Sequence, residues 1–328
     1  MARDCVTPND PTLLLVNPAS RNGRHSFAWY REQLEQRINL VDATLPESAE
    51  QLKGAIQQNI QRGVTRIIVG GGDGTLSMAV GEILDSPAVL GVLPLGTGNT
   101  FAYGLNLPSR PAALLDLLTS GPVVSHDVGE ARTATARHIF LNSATVGLSE
   151  RLARLLTHEA KKRWGLMAWP INVRKAIRAT PPFQVDVTWD GGRAVYHTRQ
   201  FVVVNGRNLA GPLKTTPQSS SRDALLEVFR LGGTSEWSMA RVTWQLLRGK
   251  LLTEHDARYL TTRSVTFSTD PPVAVDLDGD VWEMPPVTCR VLPGVLPVIT
   301  PLDPLPQVRP WTRMFGKRQA ITAPSDND

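Results

Sequence analysis

The chain has 328 residues, of which 41% are hydrophobic and 20% charged, and its formal net charge is +5. That length exceeds what one hydrophobic core usually serves, so two domains are expected, and the composition excludes a fibrous or generally disordered protein. The positive charge favours an anionic partner, whether a nucleotide, an anionic membrane surface or a nucleic acid, without choosing among them.

The N-terminus, MARDCVTPND, carries charges and a proline where a signal peptide would need an apolar run, and nowhere do about 18 apolar residues follow one another. Cys5 and Cys289 are the only cysteines and lie far apart, which supplies neither a disulfide framework nor a metal-ligand cluster. A reducing cytoplasm is the expected setting.

Residues 12–16 (TLLLV) are a short apolar run ended by Asn17-Pro18, the pattern of a buried strand running into a loop. Residues 66–69 form a second such strand. Gly70-Gly71-Gly72-Asp73-Gly74-Thr75 breaks it, and helical spacing resumes over 76–84. In a third unit, residues 89–93 are the strand, Pro94-Leu95-Gly96-Thr97-Gly98-Asn99 the loop and 100–105 a short helical piece. Three strand–loop–helix units in about a hundred residues predict an α/β domain with a parallel sheet. Ligands bind such sheets beyond the carboxyl ends of the strands, so the three loops should converge on one crevice.

After about residue 129 the pattern changes. Residues 183–189, 200–205, 225–231, 264–268 and 273–276 alternate or are β-branched, as expected of antiparallel strands in a sandwich. Residues 150–178 read as one or two helices broken near Pro170, and 241–252 as another. The polar residues 319–328 are expected to be disordered.

A glycine-rich loop between strand and helix lets backbone N–H groups approach phosphate oxygens, and the helix N-terminus adds favourable potential. GGGDGT has this character but is neither a Walker A loop nor a GxGxxG dinucleotide site. On the residues alone, a tight structural turn stays open as the alternative. Asp73 alone would equally be an Asx turn or helix cap, Asp127 alone a structural residue, and Asp278-Gly279 a hairpin turn.

Asn17-Pro18, Gly71-Gly72-Asp73-Gly74-Thr75-Leu76 and Pro94-Leu95-Gly96-Thr97-Gly98-Asn99-Thr100-Phe101-Ala102, in this order and spacing, resemble the diacylglycerol kinase catalytic-domain family, which includes sphingosine and ceramide kinases and is distantly related to NAD kinases. The resemblance continues through His126-Asp127-Val128-Gly129, residues 142–147 and 205–217, and Asp278-Gly279-Asp280, and so covers nearly the whole chain. It implies an N-terminal Rossmann-like α/β nucleotide domain over residues 1–129 and an antiparallel β-sandwich over 130–290, with the active site in the cleft between them. A strand within 291–303 would return to the first domain, followed by a basic tail, partly disordered, over 304–328.

By the same resemblance the chain is an ATP-dependent, Mg²⁺-requiring lipid kinase. Diacylglycerol is the first acceptor, with a sphingoid base, ceramide or another lipid alcohol as alternatives. Asn17, Pro18, Thr44, Gly71, Gly72, Asp73, Gly74, Thr75, Thr97 and Asn99 match ATP-contacting positions, and Asp73 and Asp127 match positions tied to catalytic Mg²⁺, partly through water. Mg²⁺ parts reluctantly with its waters and bridges nucleotide phosphates, so water-mediated carboxylates suit it. Asp280 stands where the family generally carries Glu as the base for the lipid hydroxyl, which makes Asp280 and Asp73 the catalytic pair. Asp276 and Asp278 are near enough to offer a substitute or a metal partner. Ser77-Met78 replaces the frequent Asn-Glu pair, and Thr100 a frequent Asp. Ser220, Asp223 and Leu225 match a structural Mg²⁺ site, with Ala224 in place of a glycine.

Between residues 150 and 178, eight basic residues stand against two acids, with Trp164, Met167 and Trp169 among them. Basic residues beside tryptophan suit an anionic bilayer interface, and a solvated helix with core tryptophans is the alternative. Arg309, Trp311, Arg313, Phe315, Lys317 and Arg318 form a second such cluster. The expected partners are therefore ATP and a lipid at an anionic membrane surface, with peripheral attachment to the inner face; a homodimer stays open. An NAD kinase-like enzyme and a nucleotide-binding regulator without turnover are the competing readings. Nucleic-acid binding is the weakest, because no recognisable motif for it is present.

Overall fold

The computed structural model describes residues 4–148, 177–210, 213–214, 219–231, 233–239, 241, 257–282 and 285–302. The helices expected over 150–178 and 241–252 lie almost entirely outside the described residues, as do both basic–aromatic clusters and the tail. Among the described residues no helix is long and apolar enough to cross a membrane.

The first half alternates strand and helix: β1 (Thr12–Val16), α1 (Gly23–Glu35), β2 (Leu40–Thr44), α2 (Ala49–Gln61), β3 (Arg66–Gly71), α3 (Asp73–Ile83), β4 (Val89–Pro94), α4 (Thr100–Gly104) and α5 (Pro111–Ser120). The strands run parallel in the order β2-β1-β3-β4. β1 and β3 are buried along their whole length, which explains why they read as unbroken apolar runs rather than alternating ones. α2 and α3 cover one face through Leu52, Ile56, Leu76 and Val80, and α1 and α5 the other through Tyr30, Leu34, Leu114 and Leu118. Ser48 starts α2 by accepting a hydrogen bond from Gln51 N, and Pro111 opens α5. At the far end of the sheet the fully buried Arg66 donates to Thr12 Oγ1 at 2.7 Å and to the last-turn carbonyls of α5, Leu118 at 2.9 Å and Thr119 at 3.1 Å.

The second half is β: β5 (Val123–Arg132), β6 (Arg137–Phe140), β7 (Ser143–Gly147), β8 (Phe183–Trp189), β9 (Gly192–Thr198), β10 (Gln200–Val204), β11 (Asn208–Ala210), β12 (Leu213–Lys214), β13 (Leu226–Leu231), β14 (Ala257–Thr262), β15 (Ser264–Asp270), β16 (Val275–Leu277), β17 (Asp280–Val281) and β18 (Val287–Ile299). One antiparallel sheet runs β14-β13-β10-β7-β16-β17. It packs on β5, β6, β8, β15 and the first part of β18 through a core that includes Phe140, Val146, Phe183, Phe201 and Phe267.

β18 joins the halves. Val287, Cys289 and Val291 lie in the sandwich core, while Leu296, Val298 and Ile299 lie in the cores of the α/β half. It pairs antiparallel with β15 and β5, then parallel with β4 through Val298 and Leu90. The boundaries expected at 129/130 and 290/291 thus fall inside β5 and β18, and the α/β sheet continues into the sandwich as one sheet. A register shift between Leu292 and Leu296 bends β18, with Gly294 at φ +60° and its N–H given to Asp127 Oδ1 at 2.8 Å.

Glu130 on β5 has a fully buried side chain, and Arg132, Arg137 and Arg290 reach it from β5, β6 and β18. Burial pushes its carboxyl up, but hydrogen bonds from Arg132, Arg290 and Arg137 together hold it down at about 2. A depressed carboxylate stabilises the fold above its unfolded value of about 4.5, and that contribution is lost as pH falls from there towards 2. Because the arginines are half-exposed, the effect should be about 1–3 kcal/mol. Urea unfolding between pH 2.5 and 6 should show this loss in the wild type. Glu130→Gln should be less stable at pH 6, with a flatter acid limb.

Candidate active site

The strand order reverses between β1 and β3, and the loops after β1, β3 and β4 meet there. Asn17 ends β1. Its Nδ2 donates to Thr75 Oγ1 at 2.8 Å and its Oδ1 accepts from Ala19 N at 2.9 Å, which folds the first loop over the second. β3 runs into Gly71, where a Cβ would lie 2.6 Å from Thr75 Cβ, so the turn into α3 closes only on glycine. Gly72 is the N-cap of α3 and no side chain caps its first turn, which leaves the positive end of an eleven-residue helix facing the crevice. In the third loop Gly96 packs backbone to backbone on Gly72, and a Cβ there would stand 2.4 Å from Gly72 Cα. Asn99, at φ +49°, staples this loop by accepting from Gly96 N at 3.0 Å and donating to Gly96 O at 3.1 Å.

Asp73 points away from the crevice, towards α4. Its Oδ2 accepts from Thr100 N at 3.0 Å and its Oδ1 from Phe101 N at 3.0 Å and Asn142 Nδ2 at 3.1 Å. It therefore caps α4 and ties the glycine-loop helix to the sandwich half. Asp278 makes the complementary tie. Its carboxylate accepts from Leu141 N at 2.6 Å, Asn142 N at 2.9 Å, Ser143 N at 3.0 Å and the Ser77 hydroxyl of α3. Desolvation pushes Asp278 up to about 6 against these donors, and the nearby Asp73 adds to the rise.

The two-residue turn Asp278-Gly279 has φ of +52° and +101° and joins β16 to β17, with Leu277 opposite Asp280. It delivers Asp280 across the crevice, where Oδ2 would lie 2.7 Å from a Cβ on Gly74. The crevice is lined by Asn17, Ala19, Ser20, Arg21, Gly72, Gly74, Thr75, Met78, Gly96, Thr97 and Asp280.

The sequence-predicted residues thus separate into groups. Asn17, Gly72, Gly74, Thr75, Thr97 and Asp280 meet in the crevice. Gly71, Asn99 and Asp73 shape it from behind. Pro18 and Thr44 are not among its lining; Thr44 ends β2 beside Leu15 at the same edge of the sheet. Asp127 is elsewhere: its buried carboxylate accepts from Ala224 N at 2.7 Å and Gly294 N at 2.8 Å, and its own N–H donates to Ser221 O at 2.7 Å. It belongs with the 220–225 turn, and no hydrogen bond links it to Asp73 among the described residues. In that turn Asp223 Oδ1 accepts from Leu225 N at 3.0 Å and Arg222 N donates to Ser220 Oγ at 3.1 Å. Burial pushes the Asp223 carboxyl up to about 6, and the neighbouring carboxylates of Glu227 and Asp127 add to the rise.

Sequence reasoning did not single out Ala19, Ser20, Arg21, Met78 or Gly96 as lining residues. A cation in the loop after a strand that ends at a phosphate site was a usable signal for Arg21. It also missed His138, whose ring lies 5.9 Å from that of Trp282. Burial pushes the His138 pKa down, with Asp280 opposing and Lys53 reinforcing.

Two family models match the chain: residues 11–131 match the diacylglycerol kinase catalytic domain, and residues 142–300 the YegS C-terminal NAD kinase beta sandwich-like domain. A protein named "Diacylglycerol kinase" from Bacillus subtilis is 25% identical over 280 residues, 83% of this chain and 90% of that protein. A "Probable lipid kinase YegS-like" from Pseudomonas fluorescens is 29% identical over 251 residues, 76% of this chain and 81% of that one. The crystal structure of a diacylglycerol kinase from Bacillus anthracis superposes with a TM-score of 0.67 at 19% identity, covering 90% of this chain and 97% of that one, which shows a shared fold.

The backbone contact between the second and third loops yields a paired prediction. Gly96→Ala puts a Cβ into Gly72 and should cost about 1–3 kcal/mol in chemical denaturation. It should also weaken ATP binding at least tenfold by calorimetry. Gly81→Ala, on α3 with nothing within 4 Å of the added Cβ, should leave binding unchanged and raise stability by about 0.5–1 kcal/mol.

Proposed function

We propose, for a chain that belongs to the diacylglycerol kinase catalytic-domain family, that it transfers the γ-phosphate of ATP to a lipid hydroxyl, and that diacylglycerol is the acceptor. The observation that carries this reading is the Asp280 carboxylate facing Gly74 at the uncapped N-terminus of α3. An anion-binding helix end and a candidate base stand across one crevice, which is the arrangement that in-line transfer to a hydroxyl needs.

In this reading the N–H groups at the start of α3, with Asn17, Thr75 and Thr97, hold the nucleotide phosphates, and Arg21 supplies positive charge at the crevice wall. Asp280 takes the proton of the attacking hydroxyl. Asp73 keeps α4 and the third loop in place while retaining oxygen lone pairs for hydrated Mg²⁺. Among the described residues no three acidic, histidine or cysteine side chains converge to hold an ion by themselves. The donors fit Mg²⁺ only when phosphates and water complete its shell, as is usual for this ion. When bound it neutralises phosphate charge. A second, structural ion would be held by Asp223 with Ser220 and Leu225, beside Asp127; the accumulated negative charge of Asp223, Glu227 and Asp127 is what a cation would relieve.

Diacylglycerol as acceptor is supported by the name of the Bacillus subtilis relative. A sphingoid base, ceramide or another lipid alcohol is the alternative, and a lipid acceptor in turn implies work at a membrane surface.

Radiolabelled phosphate transfer from ATP in anionic mixed micelles, with diacylglycerol, sphingosine, ceramide and NAD offered in parallel, tests the reading. Phosphatidic acid is the expected product. Asp280→Asn should lower kcat at least about a hundredfold with ATP affinity kept. Product on NAD alone, or ATP binding with no transfer to any acceptor, would replace the reading by its NAD kinase-like or regulatory competitor.

A further inference from the structure

We propose that Ser77 is a positioning residue: by donating its hydroxyl to Asp278 it sets the hairpin turn against the glycine-loop helix and so fixes the reach of Asp280. This rests on the reading of Asp280 as the base.

No described residue donates a hydrogen bond to the Asp280 carboxylate, so its place is set by the backbone that carries it. That backbone is a two-residue turn at positive φ, and its fastenings are of two kinds. Three amides, from Leu141, Asn142 and Ser143, bind the Asp278 carboxylate, Asp278 N donates to Ser143 O at 3.0 Å, and Gly279 N donates to Asp276 Oδ1 at 2.9 Å. All of these belong to the sandwich half. Ser77 Oγ is the fastening that comes from α3, the helix whose first turn faces the phosphates. Ser77 is 4% exposed and one turn beyond Asp73, so its side chain neither lines the crevice nor meets solvent.

Removing the hydroxyl should leave the turn folded, because its own half still holds it, but take away its direct fastening to α3 and leave the indirect one through Asn142 and Asp73. Asp280 approaches α3 where Gly74 has no side chain, since its Oδ2 stands 2.7 Å from where a Cβ would be. Displacements of about 1 Å at such a site can cost about a hundredfold in rate. The expected signature is therefore loss of turnover without loss of nucleotide binding.

The test compares wild type, Ser77→Ala and Ser77→Thr by hydrogen–deuterium exchange and by steady-state kinetics on diacylglycerol. In Ser77→Ala, exchange at Gly279 and Trp282, whose amides donate within the hairpin, should speed several-fold while residues 73–76 stay as in wild type. kcat should fall at least tenfold with KM for ATP within twofold, and Ser77→Thr should restore both. Unchanged hairpin exchange in Ser77→Ala, or a kcat loss matched by an equal rise in KM for ATP, overturns the proposal. Should wild type transfer no phosphate while hairpin exchange still responds to Ser77 as described, positioning stands and it is the kinase reading that fails.

Discussion

The site depends on buried and half-buried carboxylates that are satisfied by amides and hydroxyls rather than by cations. An ionised carboxylate taken out of water is costly unless donors surround it, and removing one donor leaves the remainder of that cost exposed. Asp278 collects four donors, Asp73 three and Asp127 two, and each set spans the two halves of the chain or the bend in the strand that joins them. Asp73 reaches from α3 to Asn142, and Asp278 reaches back from the hairpin to Ser77. The crevice is held shut at its base by these two crossed ties. Neither tie uses lysine or arginine, so these carboxylates are held without an ion pair.

β18 supplies the rigidity that these ties presuppose. A cleft between two domains on a linker would open by hinge motion, whereas here one thirteen-residue strand lies in the cores on both sides and pairs with β5 along most of its length. Its bend at Gly294 is fastened by Asp127, whose other oxygen holds the 220–225 turn. The fold therefore links the sheet that carries the three crevice loops to the turn proposed for a structural ion, and Asp127 becomes intelligible as a corner of the scaffold.

How much of this was legible follows from where each interaction lies along the chain. The bounds of β1 and β8 were readable to the residue, because an apolar or alternating run meets a hard stop at Pro18 or Asp190-Gly191. β3 and β4 run further than read, into Gly71 and Pro94, since strand pairing persists through residues whose propensity argues against it. α1 and α2 were missed because each buries only a thin stripe, Tyr30 and Leu34 in one, Leu52 and Ile56 in the other, within polar sequence. The convergence of the three loops was legible from the strand–loop–helix pattern. The placement of Asp127 with Ala224 and Gly294, rather than with Asp73, was not, because partners 97 and 167 residues away leave no local trace.

Asp278 shows the same limit from the other side. Its turn was readable from Asp-Gly, and the turn is there; what the sequence could not show is that the carboxylate faces inward to Ser77, 201 residues earlier. Two departures from the pattern that the chain otherwise resembles, Asp280 for Glu and Ser77 for Asn, thereby come to lie at opposite ends of one hydrogen-bonded link. Aspartate reaches less far than glutamate by one methylene, and serine holds Asp278 closer to its helix than a longer side chain would. With Asp280 as the proposed base, a shorter tether and a shorter acid would change the same distance in compensating directions.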